Sequence, residues 1–98
     1  MKKSITYKNE VYTLADLPMW VQRARNRQAR LNEISADELT PNIIILNEQI
    51  LLVEALLICE MIINELTEYD RSSEVSIMTF LLDNLKAERS GVCSVWAK

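Results

Sequence analysis

The sequence has no histidine and very little glycine, proline or cysteine: its 98 residues include one glycine, two prolines and two cysteines. Without histidine there can be no Ser-His or Cys-His nucleophile pair, no mixed Cys/His zinc site and no Glu-x-x-His di-iron site. Cys59 and Cys93 are too few for a four-thiolate zinc site and too far apart for a Cys-x-x-Cys redox pair. The composition therefore predicts a protein that is not an enzyme and that holds neither a metal nor a cofactor.

Signals for secretion or membrane insertion are also missing. The basic start of the chain continues into polar residues, so it lacks the apolar segment of a signal peptide. The one long apolar stretch, residues 43–63, contains Glu48, Glu54 and Glu60. Each carboxylate would cost about 2.5–3.5 kcal/mol near the centre of a bilayer, so this stretch is expected in a protein core. We therefore expect a cytoplasmic protein with no membrane partner.

The remaining composition, 49% hydrophobic and 26% charged, is typical of a chain that folds, and the length fits one domain over residues 1–98. Two β-favouring runs predict a hairpin over residues 4–13, with Asn9 in the left-handed conformation of a tight turn. An isolated two-stranded hairpin is marginal in water, so it must dock on the rest of the chain or gain a third strand. In the tail, residues 90–98, the stretch 92–96 is the only other β-prone segment and is the candidate third strand.

Three helices are predicted after the hairpin. Apolar residues at 3.6-residue spacing indicate a first helix over 17–34. Thr40 followed by Pro41 starts a second helix, over 41–69, and the turn that follows leads into a third, over 74–89, which Gly91 ends. The predicted fold class is mainly α, a three-helix bundle with a long central helix preceded by a short β-hairpin.

The second helix is apolar on nearly all sides, which is typical of a helix buried against several neighbours. Its three inner glutamates are six residues apart and therefore point in three directions. At about 1.5 Å per residue it would be about 43 Å long, whereas the first and third helices would be about 27 Å and 24 Å long. This mismatch predicts that the second helix packs against its counterpart in a homodimer or higher oligomer, or against a different partner. The candidate interface residues are Ile44, Leu51, Ala55, Ile58 and Ile62.

Charge is unevenly distributed along the chain. The first 30 residues contain seven bases and two acids, a net charge of +5, and the other 68 contain four bases and twelve acids, a net charge of −8. Arg23, Arg27 and Arg30 form one stripe on the first helix, with Trp20 at its edge. The arginines either pair with acids on neighbouring helices, bind an acidic protein surface, or bind the phosphates of a nucleic acid or nucleotide. The neighbouring acids considered for such pairs are Glu54, Glu60, Glu65, Glu68 and Glu74.

The leading hypothesis is a non-enzymatic, self-associating helical protein that binds another protein, as an inhibitor, an adaptor or a chaperone does. Its candidate binding residues are Arg23, Arg27, Arg30, Trp20, Phe80 and Trp96. The alternative is a nucleic-acid or nucleotide-ligand binder that uses the arginines and Lys8, with Tyr7 and Tyr12 stacking on bases. This alternative is weaker because the sequence shows no helix-turn-helix and its long acidic remainder would repel a phosphate backbone.

Overall fold

The computed structural model describes residues 3–96, and of residues 92–96 it describes the backbone alone. It confirms the predicted fold class: an N-terminal hairpin precedes three helices that pack as a bundle. The molecule is elongated, with principal extents of 49 × 26 × 23 Å. Its elements are β1 (Ser4–Tyr7), β2 (Glu10–Thr13), a 3₁₀ turn (Leu14–Asp16), α1 (Leu17–Ser35), α2 (Asn42–Leu66) and α3 (Ser72–Trp96).

The hairpin is an antiparallel pair in which Tyr7 lies opposite Glu10. Lys8 and Asn9 form its two-residue turn, and both have a positive φ, of 52° and 67°. Asparagine tolerates this conformation better than most residues, and the left-handed conformation expected for Asn9 is confirmed. The hairpin docks on the helices, as its marginal stability requires. Its inward side chains join a core cluster that consists of Ile5, Tyr7, Tyr12, Leu17, Trp20, Ile58, Met61, Ile62 and Leu66.

Hydrogen bonds from side chains to residues two or three positions away lie at the helix boundaries. Ahead of α1, the backbone N–H of Thr13 donates to the carboxylate of Asp16 over 2.8 Å. Helix α2 ends at Leu66, earlier than predicted, because Thr67 is in an extended conformation. The Asp70 carboxylate then accepts from both the hydroxyl and the backbone N–H of Ser72, which starts α3. These two bonds, the hydroxyl bond first, lower the pKa of Asp70.

Helix α3 is longer than the sequence indicated. It runs through Gly91 to Trp96, so the predicted end at residue 89 and the candidate third strand over 92–96 are both wrong. A glycine within a helix costs only about 1 kcal/mol, and no proline follows to stop the helix. Helices α2 and α3 are each 25 residues long. The length mismatch that predicted an oligomer is therefore absent for this pair.

Helix α2 is the centre of the bundle. Of the side chains that the structure describes, all the buried ones except Ala24 and Leu82 belong to it. Helix α1 packs on one side of α2 and α3 packs on the other. Cys59 is among the buried residues, as expected of a small hydrophobe, and burial raises the pKa of its thiol.

The burial of α2 corrects three of the five candidate interface residues. Ala55, Ile58 and Ile62 are packed against α1 and the hairpin within one chain and are at most 4% exposed, so they offer almost no surface to a second copy. Ile44 and Leu51 are each 42% exposed and stay available to a partner. The two groups differ because α1 and the hairpin leave one edge of α2 uncovered towards its N-terminal end.

Helix α2 is also the one helix in the described part of the chain that is long and apolar enough to cross a membrane, with a mean hydropathy of 1.8. Half of that stretch is buried inside the protein. The core helix of a soluble protein has the same length and composition, so the position of α2 between two other helices accounts for its apolar character.

Candidate functional site

A cleft of about 520 Å³ lies between α1 and the uncovered edge of α2. We call it the arginine cleft, since the three arginines of the predicted stripe all line it. It is open to solvent, and Leu51 supplies exposed apolar surface to it. Its lining consists of Trp20, Arg23, Asn26, Arg27, Arg30, Leu51, Glu54 and Ala55.

Trp20 and Arg23 form one end of the arginine cleft. The guanidinium of Arg23 lies over the Trp20 ring, 4.6 Å from its centroid. The same ring meets Tyr12 edge-on, with centroids 5.5 Å apart and an angle of 73° between the planes. Trp20 is thus held by the hairpin and the core, while Arg23 forms no ion pair with any described acid. A tryptophan and an arginine fixed in this way are typical of the anchors of protein interfaces.

Arg27 and Arg30 share one carboxylate, that of Glu48 on α2. Arg27 approaches Glu48 to 3.4 Å and Arg30 to 3.3 Å. The Glu48 side chain is only 11% exposed, so these two guanidiniums compensate a carboxylate that is almost buried. Pairing with a neighbouring helix is therefore part of what the stripe does. Glu48 is not among the five acids expected to pair with the stripe, although its position four residues after Ile44 and four before Leu52, within the apolar face of α2, was a usable signal for a buried ion pair.

Glu54 joins three elements at the other side of the arginine cleft. Lys8 from the hairpin turn lies 3.0 Å from its carboxylate, and Lys86 from α3 lies 4.0 Å from the same oxygen. The adjacent amino group of Lys8 lowers the pKa of Lys86, and partial burial lowers it further. No local pattern in the sequence indicates this cluster, because Lys8, Glu54 and Lys86 lie far apart along the chain.

The three inner glutamates of α2 do point in different directions, as their spacing predicted. Glu48 faces α1 and Glu54 faces the hairpin and α3. The Glu60 carboxylate accepts two hydrogen bonds from the Arg71 guanidinium, of 2.6 Å and 3.1 Å, and these bonds raise the pKa of Arg71. Each glutamate therefore fastens a different segment to the central helix.

The remaining candidate residues are not brought to the arginine cleft. Tyr7 and Tyr12 are partly buried and pack against the core cluster under the hairpin, where the Lys8 amine lies over the Tyr7 ring and Trp20 meets the Tyr12 ring. Phe80 is 70% exposed on the outward face of α3, beside the exposed residues Ile77 and Leu81. The Trp96 side chain lies outside the described residues.

Comparison with known proteins gives no functional assignment for this chain, so a function must be argued from the geometry of the site. No family model matches the chain, and neither the curated proteins nor the solved structures contain a significant match. Within the described side chains there is also no group of three potential metal ligands.

Proposed function

We propose that this chain is a non-enzymatic, self-associating protein that works by binding another protein, in the manner of an inhibitor, an adaptor or a chaperone. The observation that carries the proposal is the arginine cleft. There Trp20, Arg23 and the exposed Leu51 line the same opening between two packed helices, and Arg23 lies over the Trp20 ring. Tryptophan and arginine are the residues most enriched among the anchors of protein interfaces.

The charges of the arginine cleft favour a protein over a nucleic acid. Glu48 neutralises part of the charge of Arg27 and Arg30, and Glu54 lines the same cleft. Affinity for a phosphate backbone comes from neutralising several phosphates at once, and these two acids reduce the charge available for that. Nucleic-acid or nucleotide binding through Arg23, Arg27 and Arg30 is the second candidate. A mobility shift at low salt that weakens steeply as salt is added would favour it.

Self-association is assigned to the outward stripe of α3 formed by Ile77, Phe80 and Leu81. These side chains are 60%, 70% and 41% exposed and lie within one turn of each other. Two copies can pair through this stripe around a two-fold axis, since the same patch then meets itself. Ser73, Ser76 and Asn84 lie beside the stripe, and the acids Glu74 and Asp83 lie at its margins, three residues before Ile77 and three residues after Phe80.

Capture from cells that naturally make the chain tests the binding function. The wild-type protein is expected to retain a discrete host protein, and Leu51→Asp is expected to lose it, because the substitution places a charge on the apolar surface of the arginine cleft. Leu39→Asp is the matched control, since Leu39 is 89% exposed in the connection between α1 and α2. Equal retention by Leu51→Asp, or retention of nucleic acid alone, would contradict the proposal.

A further inference from the structure

The arginine cleft is one half of a longer feature that extends across α2 to α3. Lys86 and Arg89 reach the uncovered edge of α2 from the α3 side, where Lys86 lies near Glu54 and Arg89 donates to Asn47 over 3.2 Å. We call the whole feature the α2 trough. The floor of the trough consists of Ile44, Asn47, Leu51 and Glu54. One wall consists of Arg23, Arg27 and Arg30 on α1, and the other consists of Lys86 and Arg89 on α3. Lys8 closes one end.

The floor of the α2 trough has the pattern of a helix-binding seam. Ile44 and Leu51 are seven residues apart, so they lie on the same face of α2, two turns from each other. Each is 42% exposed although the rest of α2 is largely buried. From Ile44 to Glu54 the floor is about 15 Å long, which corresponds to about three turns of a docked helix.

The rim of the α2 trough is cationic on both sides. Six bases stand around it, against Glu48, Glu54 and Asp83, which leaves a net charge of +3. The bases come from α1, from α3 and from the hairpin, so they flank the apolar floor rather than forming one patch. An apolar line between two positive rims is complementary to an apolar stripe flanked by carboxylates.

We infer that the α2 trough receives an acidic amphipathic helix of a partner protein, whose apolar stripe lies on Ile44 and Leu51 and whose carboxylates face α1 and α3. The inference rests on the protein-binding function proposed above and adds the kind of partner segment that binds. A second copy would place its own trough of charge +3 against this one, and the two would repel each other. A nucleic-acid strand offers phosphates but no apolar stripe for the floor.

The probe for this inference is a labelled helical peptide of about 18 residues, with leucines at heptad positions a and d and glutamates at e and g. One control peptide has lysines in place of the glutamates. Another has the same composition in an order that breaks the leucine stripe. Fluorescence anisotropy is measured at about 50 mM and about 300 mM NaCl, because the rim charges act less strongly at the higher salt. We expect micromolar binding of the acidic peptide and binding at least about tenfold weaker for both controls.

Variants locate the bound peptide. Leu51→Asp on the floor and Arg89→Glu on the α3 wall are each expected to weaken binding of the acidic peptide about tenfold or more. Leu39→Asp is expected to bind like the wild type. Leu51 and Arg89 are both partly exposed and lie outside the core clusters, and circular dichroism checks that each variant is folded.

Three results would overturn the inference. They are equal affinity for the reordered peptide, unchanged affinity in Leu51→Asp, and displacement of the peptide by oligothymidylate at equal total charge. A change in the sedimentation of the unliganded protein in Leu51→Asp would make the occupant a second copy and would overturn it as well. If the peptide fails to bind while a host protein is captured in a Leu51-dependent way, the inference fails and the protein-binding function stands. If the peptide does not bind and no host protein is captured in a Leu51-dependent way, the proposed protein-binding function is contradicted as well.

Discussion

Replacing both Arg27 and Arg30 with alanine is expected to lower the free energy of unfolding by about 2–3 kcal/mol. The reason is the carboxylate of Glu48, whose side chain is 11% exposed and whose described ion-pair partners are these two guanidiniums. Removing one side of a nearly buried ion pair leaves an uncompensated charge. The loss is smaller than for a fully buried pair, because the Arg27 and Arg30 side chains are themselves 42% and 57% exposed.

A third substitution separates charge compensation from simple loss of side-chain contacts. Adding Glu48→Leu to the double variant is expected to recover most of the lost free energy of unfolding, since an apolar residue then occupies the site. Arg25→Ala is the control and is expected to stay within about 0.5 kcal/mol of the wild type, because Arg25 is exposed. Urea titration followed by circular dichroism measures all four proteins. A double variant as stable as the control would mean that the arginines do not hold Glu48.

The second large effect concerns self-association. Phe80→Asp is expected to weaken it by about thirtyfold or more, because Phe80 is the largest and most exposed residue of the α3 stripe. Aspartates from two copies would also meet near the axis of a two-fold pair. Sedimentation velocity at micromolar concentration is expected to show wild-type protein above the 11.3 kDa of the monomer and Phe80→Asp protein at that mass.

Leu39→Asp is again the matched control and is expected to sediment like the wild type, since it adds the same charge away from α3. A wild-type protein that sediments as a monomer would contradict self-association. A wild-type oligomer that Phe80→Asp leaves unchanged would keep self-association but exclude the α3 stripe as its interface.

Much of the fold could be predicted because local signals agree with the final packing. The hairpin with its left-handed Asn9 and the apolar character of α2 both follow from residues close in sequence. The end of α3 could not be predicted, because Gly91 resembles a helix stop although the helix continues past it to Trp96. A glycine is a weak stop where nothing else breaks the helix.

Only the α1 side of the α2 trough could be predicted from the sequence. The arginine stripe follows from the spacing on α1, and the structure brings Arg23, Arg27 and Arg30 together with Trp20 in one cleft. The α3 wall and the choice of Glu48 depend on the register between helices, which no local pattern encodes. The same register buries Ala55, Ile58 and Ile62 in the chain's own core, and the pattern of α2 alone does not distinguish that core from an interface with a partner.

The most direct test of protein binding at the α2 trough is zero-length carbodiimide cross-linking of the complex with the captured host protein. The reagent joins a lysine amine to a carboxylate in contact with it, and Lys8 and Lys86 flank the trough at Glu54. The account predicts bonds from Lys86 or Lys8 to aspartate or glutamate of the bound protein. Bonds to the bound protein from Lys3 alone, with none at Lys8 or Lys86, would contradict it.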